Sequence, residues 1–130
     1  MVRVVADQVG APTGTGLVAE VSAELVRRLR SQPDACPVGL YHLAPTGEVS
    51  WYDYAAFVFE CARAAGWPLV LEHLEPIASA DYPTAAPRPA NSRLDTTRLA
   101  TTFGLRLPPW QDEVARTVTV LAEPLSLLPH

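Results

Sequence analysis

Apolar positions recur with helical spacing over several stretches of the chain and alternate with polar ones over others. Leu17–Arg30 carries Val18, Val21, Leu25 and Leu29 in one stripe, and Arg27, Arg28 and Arg30 crowd its last turn, where the helix dipole favours cations. Trp51–Ala65 is the strongest helical signal. Trp51, Tyr54, Ala55, Val58, Ala62 and Ala65 follow the helical period, Ser50 supplies an N-cap and Gly66 a left-handed stop. Further on, Asp95 caps a helix over Thr96–Phe103 that Gly104 closes. Pro108 and Pro109 open a last helix with Trp110, Val114, Val118 and Leu121 on one face. Strands are predicted at Arg3–Ala6, at Gly39–Leu43 and at Leu69–Ile77, where Pro76 either ends the strand or restricts it to an edge.

One stretch fits neither period. Tyr82–Asp95 reads Tyr-Pro-Thr-Ala-Ala-Pro-Arg-Pro-Ala-Asn-Ser-Arg-Leu-Asp. Pro83, Pro87 and Pro89 fix φ and remove backbone donors, so neither a helix nor a central strand can run through it. A stiff extended loop results, cheaper to order than a Gly-rich one. It carries Arg88 and Arg93, whose planar guanidiniums suit carboxylate or phosphate. An anion grip is one reading and a solvated surface loop is the other. A second loop, Asp7-Gln-Val-Gly-Ala-Pro-Thr13, turns at Gly10 and Pro12 and offers Asp7, Gln8 and Thr13 to local amides or to a ligand.

Composition removes several classes. With 130 residues, 48% of them hydrophobic, the chain suits a single segment, 1–130, with a core of its own. A net charge of −4 disfavours nucleic acid as a partner. No apolar run approaches the roughly 20 residues of a membrane span, and no secretory h-region follows the N-terminus. Cys36 and Cys61 lie in no metal spacing and read as reduced thiols of a cytoplasmic protein. His42 has no second ligand at metal spacing and reads as structural. The ten basic side chains are all arginine, which excludes within this chain any Schiff base, P-loop or Tyr-x-x-x-Lys chemistry. Gly14-Thr-Gly16-Leu-Val-Ala19 imitates a dinucleotide fingerprint but stands too far from its strand, and Asp34 falls in a Pro-flanked loop rather than at a strand end. Residues 124–130 are expected to fray.

Taken together, Val5-Ala-Asp-Gln-Val-Gly-Ala-Pro-Thr13, Gly39-Leu-Tyr-His-Leu43, Trp51-Tyr-Asp-Tyr-Ala-Ala-Phe-Val-Phe59, Tyr82-Pro-Thr84, Arg88-Pro-Ala-Asn-Ser-Arg-Leu-Asp95 and Leu107-Pro-Pro-Trp110 resemble the C-terminal part of the dTDP-4-dehydrorhamnose reductases. These are extended short-chain dehydrogenase/reductases of nucleotide-sugar metabolism. The pieces come in the family's order and cover nearly the whole chain.

The resemblance implies the small α/β substrate-binding lobe with the last strand and helix of the Rossmann half, and without the cofactor-binding N-terminal half. It implies reduction of the 4-keto group of a dTDP-6-deoxy-hexulose to give dTDP-L-rhamnose. NADP or NAD would be held mainly by that other half, whose fingerprint and Thr, Tyr and Lys catalytic residues lie upstream of the Asp7–Thr13 motif. The chain so read is a fragment, inactive alone, and no catalytic residue is assigned in it. Arg88 matches the Arg-Pro position that binds the nucleotide diphosphate in related enzymes. Asn91, Ser92 and Arg93 complete the candidate substrate-binding set, Arg93 as a cap on the loop's end. Asp7, Gln8, Gly10, Pro12 and Thr13 form the family's motif loop. One departure is Pro87, where the family often has a second arginine. The resemblance leaves a bivalent metal open and allows a homodimer. A non-catalytic alternative is the regulatory-subunit type that serves methionine adenosyltransferase, which shares the motif loop and the Arg-Pro feature. An unrelated stand-alone binding module is the remaining alternative.

Overall fold

A computed structural model describes residues 1–122; the tail expected to fray, 124–130, lies outside them. In chain order the elements are β1 (Val2–Val5), β2 (Val9–Gly10), α1 (Thr15–Ser31), β3 (Val49–Ser50), α2 (Trp51–Ala64), β4 (Leu74–Ile77), α3 (Thr97–Phe103) and α4 (Trp110–Ala122). Short 3-10 turns occupy Pro33–Ala35 and Ser79–Asp81. β1 pairs in parallel with β4, Val2 opposite Leu74 and Val5 opposite Ile77, and β2 pairs antiparallel with β3. This is an α/β lobe whose parallel pair is joined through helices, the α/β class that the family resemblance implies.

The core lies where α2 crosses α4. Ala62, Trp110, Val114 and Val118 are buried there, with Tyr54, Phe57, Val58 and Trp67 packed around them. Trp110 meets the edges of Phe57 and Tyr54 at centroid distances of 5.1 and 6.2 Å, the tilted geometry that aromatic quadrupoles prefer. The entry to α2 is fixed by Ser50, whose hydroxyl accepts from the Asp53 amide at 3.0 Å and donates to the Asp53 carboxylate at 2.7 Å. Gly104 closes α3 at φ 62°, a conformation that costs glycine little.

Several sequence expectations change. Gly39–Leu43 is not a strand: no described strand pairs with it, and an unpaired extended segment has no ladder to stabilise it. It is held to α3 by side chains instead. Arg98 lies 4.8 Å over the Tyr41 ring, Nη1 of Arg98 donates to the Leu40 carbonyl, and Tyr41 packs edge-on against Phe103. The strand predicted over Leu69–Ile77 shortens to Leu74–Ile77, with Pro76 inside it. That is tolerated because each strand of a two-stranded sheet is an edge. The buried line of α1 is displaced by one residue: Leu17 is buried with Val21 and Leu25 half-buried, while Val18 and Leu29 are exposed. Leu121 on α4 and Trp51 on α2 are likewise exposed rather than in the core, because each lies at the end of its helix, past the α2–α4 crossing. Asp95 sits one residue before the N-cap of α3, Thr96, yet its carboxylate still accepts from the Thr97 amide at 2.9 Å.

Val18, Val26 and Leu29 share α1, and Val38 and Leu40 lie just beyond it, 91% and 76% exposed.

Trp110→Ala, in the full-length protein, is expected to cost about 3–5 kcal/mol, since it empties a buried aromatic site with limited room to collapse. Leu121→Ala, on an exposed helix end, is expected to stay within about 0.5 kcal/mol. Urea titration of both variants checks the contrast.

Candidate functional site

The loop Asp7–Thr13 follows β1 and acts as a clasp. The Asp7 carboxylate accepts from the Ser79 amide at 2.9 and 3.0 Å and from the Ser79 hydroxyl at 2.6 Å. Gln8 Nε2 donates to the same hydroxyl at 2.8 Å, so Ser79 is bonded from both neighbours. These bonds, the side-chain one foremost, hold the Asp7 carboxyl below its ordinary value of 3.8. Ser79 opens the 3-10 turn that leads into the proline loop.

The far end of the proline loop is tied to the same motif. The Val9 amide donates to the Ala90 carbonyl and the Ser92 amide to the Val9 carbonyl, both at 2.9 Å, which makes a parallel bridge between Val9 and Asn91. The Ser92 hydroxyl adds a bond to the Val9 carbonyl at 3.2 Å. Gly10 is required here for space: a Cβ on it would stand 2.8 Å from Ser92 Oγ. Three consecutive residues, Asp7, Gln8 and Val9, therefore close a loop running from Ser79 to Ser92.

Between those ties the loop overhangs a cleft of about 290 Å³. Arg3, Val4 and Val5 of β1 form one wall, with Gln8 at the end of that wall and Trp51, from the first turn of α2, beside it. Tyr82, Thr84 and Arg88 project from the loop to complete it. Thr84 donates to the Ala86 carbonyl at 2.7 Å and folds the loop on itself. Among the described residues Arg88 makes no ion pair, whereas Arg3 lies 3.9 Å from Glu75. The cleft so combines an unneutralised guanidinium, aromatic surface and an amide.

The candidate residues separate in this geometry. Arg88 and Gln8 reach the cleft. Arg93 is turned away and ion-paired with Glu48, and its backbone N–H and Nε both donate to Asn91 Oδ1, at 3.1 and 3.0 Å. Asn91 and Ser92 are occupied in anchoring the loop. Thr13 donates to the Ala11 carbonyl at 3.0 Å, and Pro12 lines a different hollow along α4. The pattern missed Trp51, taken for core, and did not assign Arg3 to the site; Tyr82 and Thr84 were quoted for the resemblance but not as site residues. The signal for Trp51 was its place immediately after the N-cap, one turn before α2 meets α4.

Elsewhere the fingerprint-like glycines serve packing. A Cβ at Gly14 would lie 3.1 Å from the carboxylate of Glu113, and one at Gly16 would collide with Arg116. The N-terminus of α1 thus faces the buried Glu113 carboxylate together with the Arg116 guanidinium paired to it. Arg116 bridges Glu113 and Glu20 and fastens α1 to α4. Among the described residues no His, Cys, Asp and Glu side chains gather as a metal site, and no helix is long and apolar enough to cross a membrane.

Comparison with known proteins bears on the fold and the family. The model of the RmlD substrate binding domain matches residues 1–123. A dTDP-4-dehydrorhamnose reductase of Escherichia coli K12 is 48% identical over 118 residues, which is 91% of this chain and 39% of that relative. The crystal structure of a dTDP-4-dehydrorhamnose reductase ortholog from Clostridium acetobutylicum is 28% identical with a TM-score of 0.75, over 92% of this chain and 38% of that one. That of a dTDP-4-dehydrorhamnose reductase from Bacillus anthracis, in complex with NADP, is 26% identical with a TM-score of 0.67, over 88% and 36%. The chain spans about two-fifths of the length of the relatives it matches.

The lowered pKa of Asp7 gives the clasp a pH dependence. A carboxyl depressed on folding contributes stability that is present above its unfolded value, near 3.8, and is lost as pH falls through the lower folded one. Asp7→Asn is therefore expected to be less stable than wild type at pH 7, with the gap closing below about pH 4. Parallel unfolding titrations at both pH values check this; a gap that does not change with pH contradicts it.

Proposed function

We propose a function that proceeds from family membership: the chain belongs to the RmlD substrate binding domain family. In the complete protein these residues form the substrate-side lobe of a reductase that converts dTDP-4-dehydro-L-rhamnose to dTDP-L-rhamnose with NADPH. The observation that carries this reading is Arg88, which has no counter-ion among the described residues and borders the cleft on a loop closed at both ends. A guanidinium in that setting suits a diphosphate, which it can engage through two parallel hydrogen bonds. Because the loop is ordered beforehand, little conformational entropy is lost on binding.

The division of labour follows from what the cleft contains. Its side chains can bind and orient a sugar nucleotide, and orientation alone removes a large part of the barrier to a transfer reaction. Tyr82 has no lysine beside it, so no Tyr-Lys proton relay exists in the cleft. Gly14–Ala19 stands too far from its strand for a dinucleotide fingerprint, so the proposal assigns cofactor binding to a part of the complete protein outside these residues. The NADP-bound relative supports that cofactor for the family. The apolar surface of α1 and of Val38 and Leu40 is where such a part would pack. The reductases among the relatives favour this reading over the regulatory-subunit alternative.

Calorimetric titration of dTDP against the full-length protein tests the assignment. Arg88→Ala is expected to weaken binding by roughly 10- to 150-fold, the loss of a charge-assisted contact worth on the order of 1.5–3 kcal/mol. Arg88→Lys recovers part of the loss, since a point charge cannot reproduce the fork. Arg93→Ala has the smaller effect, because Glu48 and Asn91 already occupy its guanidinium. Unchanged dTDP affinity in Arg88→Ala overturns the proposal. A second measurement concerns residues 1–130 alone: NADPH oxidation with dTDP-4-dehydrorhamnose is expected to stay at the no-enzyme rate, and turnover above it contradicts the division of labour.

A further inference from the structure

Trp51 is large, aromatic and 46% exposed, at the first position of α2. The next helical turns of α2 send Tyr54, Phe57 and Val58 into the core against Trp110, and Trp51 takes no part in that cluster. Its placement is nonetheless well determined. The Trp51 amide donates to the Gln8 carbonyl at 3.3 Å, Ser50 caps the helix immediately before it, and the Tyr54 ring meets the indole edge-on at 6.0 Å. The indole borders both the main cleft and a hollow of about 90 Å³ on the side of Gly10 and Ser92. It stands as a partition tied by its own backbone to the clasp that positions Arg88.

An apolar ring kept in water beside an unpaired guanidinium has a chemical complement. The ligand must present a planar, weakly polar group a short distance from an anion, which is the layout of a nucleoside diphosphate. We propose that Trp51 is the stacking surface for the nucleotide base, with Arg88 on the diphosphate. This rests on the substrate reading above and adds the residue that recognises the base end. Stacking on an aromatic face tolerates any base, because each has a π-face. Trp51 therefore supplies affinity for the nucleoside as a class, and discrimination among bases must come from polar groups. Tyr82, 58% exposed on the loop, borders the same cleft and adds a second aromatic surface.

The test separates the two ends of the ligand in the full-length protein, with dTDP and inorganic pyrophosphate as the titrants. Trp51→Ala is expected to weaken dTDP by roughly 5- to 150-fold, the range that one base–aromatic stack supports, and to leave pyrophosphate binding unchanged. Trp51→Phe keeps most of the dTDP affinity. Arg88→Ala weakens both titrants, and if it weakens neither, the substrate reading itself fails. If Arg88→Ala weakens both while Trp51→Ala leaves dTDP unaltered, or lowers dTDP and pyrophosphate alike, the substrate reading stands and the stacking proposal is overturned. Indole fluorescence gives an answer independent of the alanine variant's folding. Trp110 is buried at 5% and Trp67 is half-buried against the same core, so base stacking should quench mainly Trp51. Quenching by dTDP, absent with pyrophosphate and abolished in Trp51→Phe, supports the proposal. Equal quenching in wild type and Trp51→Phe contradicts it.

Discussion

The cleft depends on a single constraint: three consecutive residues, Asp7, Gln8 and Val9, hold both ends of the loop that carries Arg88. Asp7 and Gln8 converge on Ser79, and the Val9 backbone bonds Ala90 and Ser92. Joining loop ends through backbone and charged hydrogen bonds concentrates the closure cost in one place. The prolines in between reduce the freedom that remains. Without the clasp, Arg88 would be one more solvated arginine. With it, the loop that carries Arg88 is fixed at both ends beside β1 and α2.

The core serves that arrangement at one remove. α2 begins where β3 ends, and Trp51, its first residue, bonds back to Gln8. The position of the helix is in turn fixed by Trp110 and Val114 of α4, packed along its inner side. Thr46 bonds the start of α4 in both directions, accepting from the Trp110 amide and donating to the Pro108 carbonyl. A chain of packed elements thus runs from the α2–α4 crossing to the cleft wall. α1 joins it from the side, fastened to α4 by Arg116 through Glu20 and Glu113.

Local signals in the sequence were legible where local physics decides. Ser50, Gly66 and Gly104 marked helix ends through capping and positive φ, and the stiffness of Tyr82–Asp95 followed from its prolines. Non-local decisions were not legible. A strand at Gly39–Leu43 needs a neighbour that periodicity cannot supply, and Trp51 satisfied the helical period while facing the cleft. In the site, Arg88 was recognisable as a guanidinium on a rigid loop. That Arg93 pairs with Glu48 was not, because those residues are far apart in sequence and meet only through the fold. The roles of Asp7 and Gln8 were open between self-capping and ligand binding, and the structure shows a further use, capture of Ser79 across the molecule.

The central claim is that the Asp7–Val9 clasp presents Arg88 to an anion in the cleft. A crystal structure of the complete protein with dTDP tests it most directly. The account predicts diphosphate oxygens within hydrogen-bond distance of the Arg88 guanidinium, with the Asp7–Ser79 and Val9–Ser92 bonds intact. A diphosphate bound away from Arg88, or a loop released from Ser79 and Val9 when dTDP binds, would contradict it.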